Sequence, residues 1–207
     1  MKVKICGVKD ERTVQAAIRQ GVDFLGFMFA ESKRRISVEK AKELAHFVPE
    51  HVKKVGVFVN PTIEEVLSAI SQVGLDLVQL HGDETPEFCR NIPLPVIKAF
   101  PIRREEDIHR TKPYKVDYFL FDSAGGKYRG GSGMTFDWKL LQQLNISKEQ
   151  VIVAGGLNPD NVQAAITETN PAIVDVSSGV ETNGEKDLEK IKAFMKAAKK
   201  KELKDLV

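Results

Sequence analysis

A chain of 207 residues, 42% of them hydrophobic, can fill one sizeable core or at most two small ones. Its 31 basic and 29 acidic residues leave a net charge of +2, which excludes the electrostatic footprint of a nucleic-acid binder; the one local excess, Lys199-Lys200-Lys201, reads as a solvated helix end. With no apolar run of ~18 residues, no apolar signal core ahead of the first strand and only Cys6 and Cys89 as cysteines, the expectation is a soluble cytoplasmic domain spanning 1–207, with no membrane contact.

The chain opens on Lys2-Val3-Lys4-Ile5-Cys6, a strand closed by Gly7. Alternation puts Val3 and Ile5 on one face and Lys2, Lys4 and Cys6 on the other. Alone, this fits a half-exposed edge strand as well as a site-bearing one. Glu11 to Gln20 carries Val14, Ala17 and Ile18 at helical spacing, and Gly21 stops it. Phe24 to Phe29 is the second strand, apolar on both faces as buried parallel strands are. Ser37 caps a helix to about Phe47, Lys54 to Val59 is a strand, and Pro61-Thr62 opens a helix to about Val73. Leu77 to His81 is a fourth strand, and Thr85-Pro86-Glu87 starts a helix in the cap-then-proline manner.

The second half keeps the rhythm. Strands are expected at Pro95–Ala99, Asp117–Asp122, Val151–Ala154 and Ala172–Val176, with helices near Arg104–Arg110, Trp138–Leu144, Asn158–Thr167 and Asp187–Ala198. Strict alternation means parallel strands with right-handed crossovers, and eight units point to an α/β fold closed as a single (βα)8 TIM barrel. The length sits at the ~200-residue floor for such barrels, so loops must be short. A doubly wound open sheet is the alternative.

In a barrel the active site lies on the loops after the strands, which makes Cys6, Arg34 with Arg35, His81, Asp122, Gly155-Gly156 and Ser177-Ser178-Gly179 the residues to weigh. Three glycine-bearing loops, around Gly131, Gly155-Gly156 and Ser178-Gly179, let backbone N–H groups approach an anion; two of them follow the last two strands, where barrels often hold phosphate. The partner expected is therefore a small phosphorylated molecule. On the last strand Ile173, Asp175 and Ser177 share a face. With Val174 and Val176 against helices, Asp175 points inward, beside Lys4 once the barrel closes. Either the two pair, or one head group reaches water at the mouth. His81 shares the inward parity of Leu77 and Gln79, and either meets the ligand or stays at the rim. His46, His51 and His109 fall on helices or surface connections, so no catalytic metal is expected. No Ser-His-Asp arrangement, dinucleotide fingerprint or P-loop occurs. Cys89, beside Phe88, reads as core filler.

With these pieces placed, the sequence resembles the phosphoribosylanthranilate isomerase family of tryptophan biosynthesis. The stretches that carry the resemblance are Lys4-Ile5-Cys6-Gly7, Ser32-Lys33-Arg34, Gly56 to Asn60, Gln79-Leu80-His81-Gly82, Gly130 to Gly133 through Thr135 to Trp138, Ala154 to Pro159, and Asp175 to Glu181. They run the length of the chain in the family's order. The resemblance implies an Amadori rearrangement of N-(5'-phosphoribosyl)anthranilate on one barrel, without metal or organic cofactor. By position Cys6 matches the general base, Asp122 the general acid and Arg34 the residue that holds the anthranilate moiety. Lys4, His81, Gly131, Gly155, Gly156, Asp175, Ser177, Ser178 and Gly179 complete the expected substrate site. Asp122 would need a raised pKa to act as an acid, and Cys6 a lowered one to act as a base, with Lys4 helping.

Two other readings stand beside this one. Another phosphate-binding barrel of the same pathway group, such as indole-glycerol-phosphate synthase, normally carries an extension before its first strand. A barrel that only binds a phosphorylated metabolite is argued against by Cys6 and Asp122. A monomer is the default expectation, with a homodimer open.

Overall fold

Strand parity builds this molecule, and the computed structural model, which describes residues 1–123 and 135–200, shows how. In chain order the elements are β1 (Lys2–Cys6), α1 (Glu11–Arg19), β2 (Phe24–Met28), α2 (Val38–Ala45), β3 (Lys53–Phe58), α3 (Ile63–Val73) and β4 (Leu77–Leu80). They continue with α4 (Pro86–Arg90), β5 (Val96–Ile102), β6 (Tyr118–Ser123), β7 (Val151–Val153), α5 (Val162–Thr169) and β8 (Ile173–Val176). A hairpin of β9 (Glu181–Thr182) and β10 (Glu185–Lys186) precedes α6 (Leu188–Ala198). The strands β1 to β8 form a closed barrel in sequence order, every pairing parallel, and β8 returns to β1 with Asp175 opposite Lys4. The open-sheet alternative is thereby excluded.

Two cores follow. Val3, Ile5, Leu25, Val174 and Val176 face outward into the layer shared with the helices, whereas Val55, Val57, Ile97, Leu120, Ile152 and Ile173 fill the barrel interior. Helix ends are fixed locally: Ser37 accepts from Lys40 N at 3.1 Å, and Thr62 with Glu65 forms a reciprocal capping box. Among the described residues, no helix is long and apolar enough to cross a membrane.

The structure departs from the sequence reading in four places. The segments expected as helices near 104–110 and 138–144 are 3-10 helices, Glu105–Thr111 and Trp138–Gln143. Their inward residues, Ile108 with Thr111 and Trp138 with Leu141, lie three apart, the period of that tighter helix. β5 runs beyond Ala99 to Ile102 through Pro101; its pairing with β4 ends at Lys98, so past that point one edge is free and tolerates a proline. α5 starts at Val162, because Asn158 to Asn161 form a turn tied by Asn158 N to Asn161 Oδ1 at 2.8 Å. The fourth is the β9–β10 hairpin. Its turn is Asn183-Gly184, with φ of 54° and 84°, a dipeptide that takes the left-handed backbone such tight hairpins need.

An outward-facing cation also braces the mouth. Lys98 lies on the helix side of β5, and its ammonium donates to the carbonyls of Leu80, Gly82 and Ala99 at 3.3, 2.9 and 3.2 Å and to Glu84 Oε2 at 3.1 Å. Glu84 in turn accepts from Asn60 N and Gly82 N at 2.8 and 2.9 Å. Both side chains of the pair are 2% exposed, so removing one partner strands the other's charge in the interior. Lys98→Met is expected to lose about 3–5 kcal/mol of unfolding free energy in urea titration, and Lys98→Met/Glu84→Gln to lose less than the two single variants summed.

Candidate active site

The carboxyl ends of the strands gather the chemistry. Alternation on β1 turns Lys4 and Cys6 inward, and register with β8 sets the fully buried Lys4 ammonium 2.8 Å from Asp175 Oδ2. The pairing expected between Lys4 and Asp175 is therefore present, and both side chains are buried. Asp175 Oδ1 is buried without a donor. Burial works to lower the Lys4 pKa, but Asp175 and the Cys6 sulfur hold it above its ordinary value. For the Cys6 thiol, burial dominates and pushes the pKa up, Lys4 and Lys186 pull it down, and Asp175 adds to the rise. The lowered thiol pKa that the sequence reading expected is therefore not found: with Lys4 and Lys186 both acting, burial still holds it above the ordinary value.

Asp122 stands on β6, three strands from β1 around the ring, and is 4% exposed. Burial first, and the Asp175 carboxylate second, raise its pKa to about 7. Gly155 makes that burial possible. With φ of 79° it turns the chain after β7 directly against the carboxyl, and a Cβ there would lie 2.7 Å from Asp122 Oδ1 and collide with Ser123 N. His81 faces the same carboxyl, Nε2 lying 3.5 Å from Asp122 Oδ2 and Nδ1 3.2 Å from Gln79 Nε2. His81 is thus inside the mouth beside Asp122 and not out on the rim.

Arg34 comes from the loop after β2. Its stem lies across Gly7, where a Cβ would sit 2.5 Å from Arg34 Cδ. Its Nε and Nη2 donate to Glu181 Oε1 and Oε2 at 2.7 and 2.8 Å. That leaves the Nη1–Nη2 edge of the fork unused by Glu181. Glu181 Oε1 also accepts from Lys186 Nζ at 2.6 Å. Burial opposes the Glu181 charge, yet Arg34 and Lys186 bring its pKa below the ordinary value. The sequence reading included neither Glu181 nor Lys186 in the site. The signal for both was Asn183-Gly184, which folds the chain back over the mouth.

After β7 and β8 the glycine loops meet. A Cβ on Gly179 would collide with the carbonyl oxygen of Leu157, so the turns holding Gly156 and Ser178 pack edge to edge. Ser177 Oγ donates to Cys6 O at 3.1 Å, tying the loop after β8 to β1. Gly131 and the glycine loop around it lie outside the described residues. Among the described residues no cluster of three or more His, Cys, Asp or Glu is arranged to hold a metal. Cys89 is buried in the outer layer, its thiol pushed up to about 11 by burial.

A closed parallel barrel with its ionisable side chains gathered at one mouth defines a (βα)8-barrel protein, and the comparisons with known proteins narrow that class. Residues 3–197 match the sequence profile of the family described as N-(5'phosphoribosyl)anthranilate (PRA) isomerase. The N-(5'-phosphoribosyl)anthranilate isomerase of Listeria monocytogenes serotype 4a (strain HCC23) is 52% identical over 199 residues, 96% of this chain and 98% of that protein. The crystal structure of phosphoribosyl anthranilate isomerase from Thermotoga maritima superposes with a TM-score of 0.88 at 41% identity, covering 96% of this chain and 98% of that one. A phosphoribosyl anthranilate isomerase solved in complex with reduced 1-(o-carboxyphenylamino)-1-deoxyribulose 5-phosphate superposes with a TM-score of 0.85 at 39% identity, with the same coverage. The chain belongs to the N-(5'-phosphoribosyl)anthranilate isomerase family.

The Asp122 carboxyl is expected to titrate near pH 7 when followed by carbon-13 NMR of its side chain. Asp175→Asn takes away the nearby carboxylate and leaves Lys4 uncancelled, so the Asp122 midpoint should fall by about one pH unit or more.

Proposed function

We infer that the protein is an isomerase converting N-(5'-phosphoribosyl)anthranilate to 1-(2-carboxyphenylamino)-1-deoxyribulose 5-phosphate, the Amadori step of tryptophan biosynthesis, by general acid–base catalysis. The observation that carries this reading is the family match, which runs from β1 to the last helix. Asp122 supports it chemically, because a carboxyl with a pKa of about 7 is a usable acid at neutral pH.

In this reading Asp122 protonates the furanose ring oxygen as the bond from that oxygen to C1' breaks, and the anthranilate nitrogen supplies the electron pair. The product is an iminium ion whose C2' proton is acidic. Cys6 thiolate removes that proton, giving an enolamine, and tautomerisation yields the ketone. Arg34 receives the anthranilate carboxylate end-on through its Nη1–Nη2 edge while Glu181 grips the Nε side, so one guanidinium serves two carboxylates. The phosphate rests against backbone N–H groups near Gly156 and Ser178, and His81, beside Asp122, contacts the sugar. The site comes from one copy of the chain, which fits a monomer. Two buried free thiols fit a reducing cytoplasm.

The pH dependence has an unusual sign. Asp122 titrates at about 7 and Cys6 above its ordinary thiol value, so the free protein loses the carboxyl proton first. The working form, thiolate with carboxylic acid, is then the minor partition of a singly protonated pair. Below pH 7 both groups hold protons and the working form is scarce. kcat/KM should rise to a plateau beginning near pH 7 and fall only above the Cys6 value.

Turnover is read from the fall of anthranilate fluorescence with freshly generated substrate. Cys6→Ala and Asp122→Asn should each lose at least ~100-fold in kcat/KM while still binding the reduced product analogue. A folded Asp122→Asn protein of near wild-type activity would mean another group protonates the ring oxygen. Arg34→Lys keeps the charge without the fork, and its KM should rise at least ~10-fold; a KM within a few-fold of wild type would remove Arg34 from the carboxylate.

A further inference from the structure

The β9–β10 hairpin delivers a buried cation that the steps above do not use. The Lys186 side chain is 2% exposed. Its ammonium donates to Ser177 O at 2.9 Å, to Ser177 Oγ at 3.3 Å and to Glu181 Oε1 at 2.6 Å. Ser177 in turn donates to the carbonyl of Cys6. Lys186 is thus two hydrogen bonds from the residue that carries the thiol. The hairpin's outer side is anchored separately by Lys9 to Glu185 at 2.8 Å.

Counting charges around Cys6 leaves this lysine over. β1 and β8 contribute Lys4 and Asp175, which cancel. The loop after β2 contributes Arg34 and the hairpin Glu181, which also cancel. β2 itself faces the thiol with Gly26, whose built Cβ would be 2.9 Å from the sulfur. Lys186 shares a carboxylate already matched by Arg34, so among the described residues around Cys6 it is the buried positive charge without a negative charge of its own. Buried charges persist where a partner exists for them. The neighbour able to become that partner is Cys6.

We propose that Lys186 is a positioning residue for the base: clamped by Ser177 and Glu181 over the end of β1, it is the counter-charge that a Cys6 thiolate meets. This deepens the acid–base reading and rests on Cys6 being the base. The electrostatics agree in direction. Burial depresses the Lys186 pKa while Glu181 and Cys6 raise it, and Lys186 acts on the thiol in the opposite sense to burial.

The test uses the whole chain labelled with cysteine carbon-13 at Cβ, Cys89→Ala assigning the two signals. Without substrate, Lys186→Met and Lys186→Gln should each move the Cys6 titration midpoint up by about one pH unit or more. The same factor should appear in catalysis as a drop of about 10-fold or more in the kcat/KM plateau, with the high-pH limb moved up and the limb near pH 7 in place. Lys186→Arg, which keeps the charge, should restore both readouts. A merely structural lysine would lower activity without moving either the midpoint or the upper limb. An unmoved midpoint in variants that circular dichroism shows to be folded overturns the proposal. A moved midpoint with unchanged kcat/KM overturns Cys6 as the base, and with it the role of Lys186 in the reaction.

Discussion

Closing β8 onto β1 places two opposite charges inside a barrel filled largely by apolar side chains, and the mouth is organised around that pair. Lys4 is fully buried and needs Asp175, while Asp175 keeps one oxygen without a donor. Stability alone does not favour such an arrangement, since apolar residues of similar volume often serve a core as well or better. What the pair supplies is a fixed field. The ammonium lies beside the Cys6 sulfur, and the carboxylate helps hold the proton on Asp122 two strands away. If β1 slipped by one residue against β8, Lys4 and Cys6 would move to the helix face and Asp175 would be left in the interior without its partner.

The fold was legible because a period of two leaves little freedom. Val3 with Ile5, and Val174 with Val176, had to face the helices, which sends Lys4, Cys6 and Asp175 inward on sequence grounds alone. The same rule gave His81 an inward parity but left it between the ligand and the rim; its place beside Asp122 came from the structure. It failed for Lys98, which breaks the pattern by standing on the apolar outer face; only the tertiary approach of Gly82 and Glu84 gives its ammonium somewhere to donate. The 3-10 segments were missed because a short stretch with two inward residues three apart fits either helix. The hairpin was missed although Asn183-Gly184 announces it, since strands of two residues carry no alternation to notice. That omission hid Glu181 and Lys186, whose sequence neighbours look like an ordinary acidic and basic surface run.

Arg34 shows why a residue's type is easier to read than its state. A guanidinium after β2 is a plausible carboxylate receptor from sequence alone, yet an unrestrained arginine loses much rotamer freedom on binding. Here Gly7 seats the stem and Glu181 holds the Nε edge, so the fork is ordered before a ligand arrives. The cost is a buried carboxylate at the mouth, offset by Lys186, so the arginine and the lysine share one anchor.

Burial explains why the two halves of the mouth differ. Taking a carboxyl out of water raises its pKa, which is what an acid working near neutrality needs, so Asp122 requires little beyond apolar neighbours, Gly155 at its back and the Asp175 charge. Taking a thiol out of water raises its pKa too, and for a base that is the wrong direction. A single enclosed mouth therefore favours the acid and penalises the base. Opening the site would ease the thiol but drain the proton from the carboxyl, so the correction has to be local to β1. Lys4 supplies part of it but is bound to Asp175, whose charge pushes the thiol back up. A second cation with no carboxylate of its own adds to that correction without wetting Asp122, and the turn at Asn183-Gly184 puts Lys186 there.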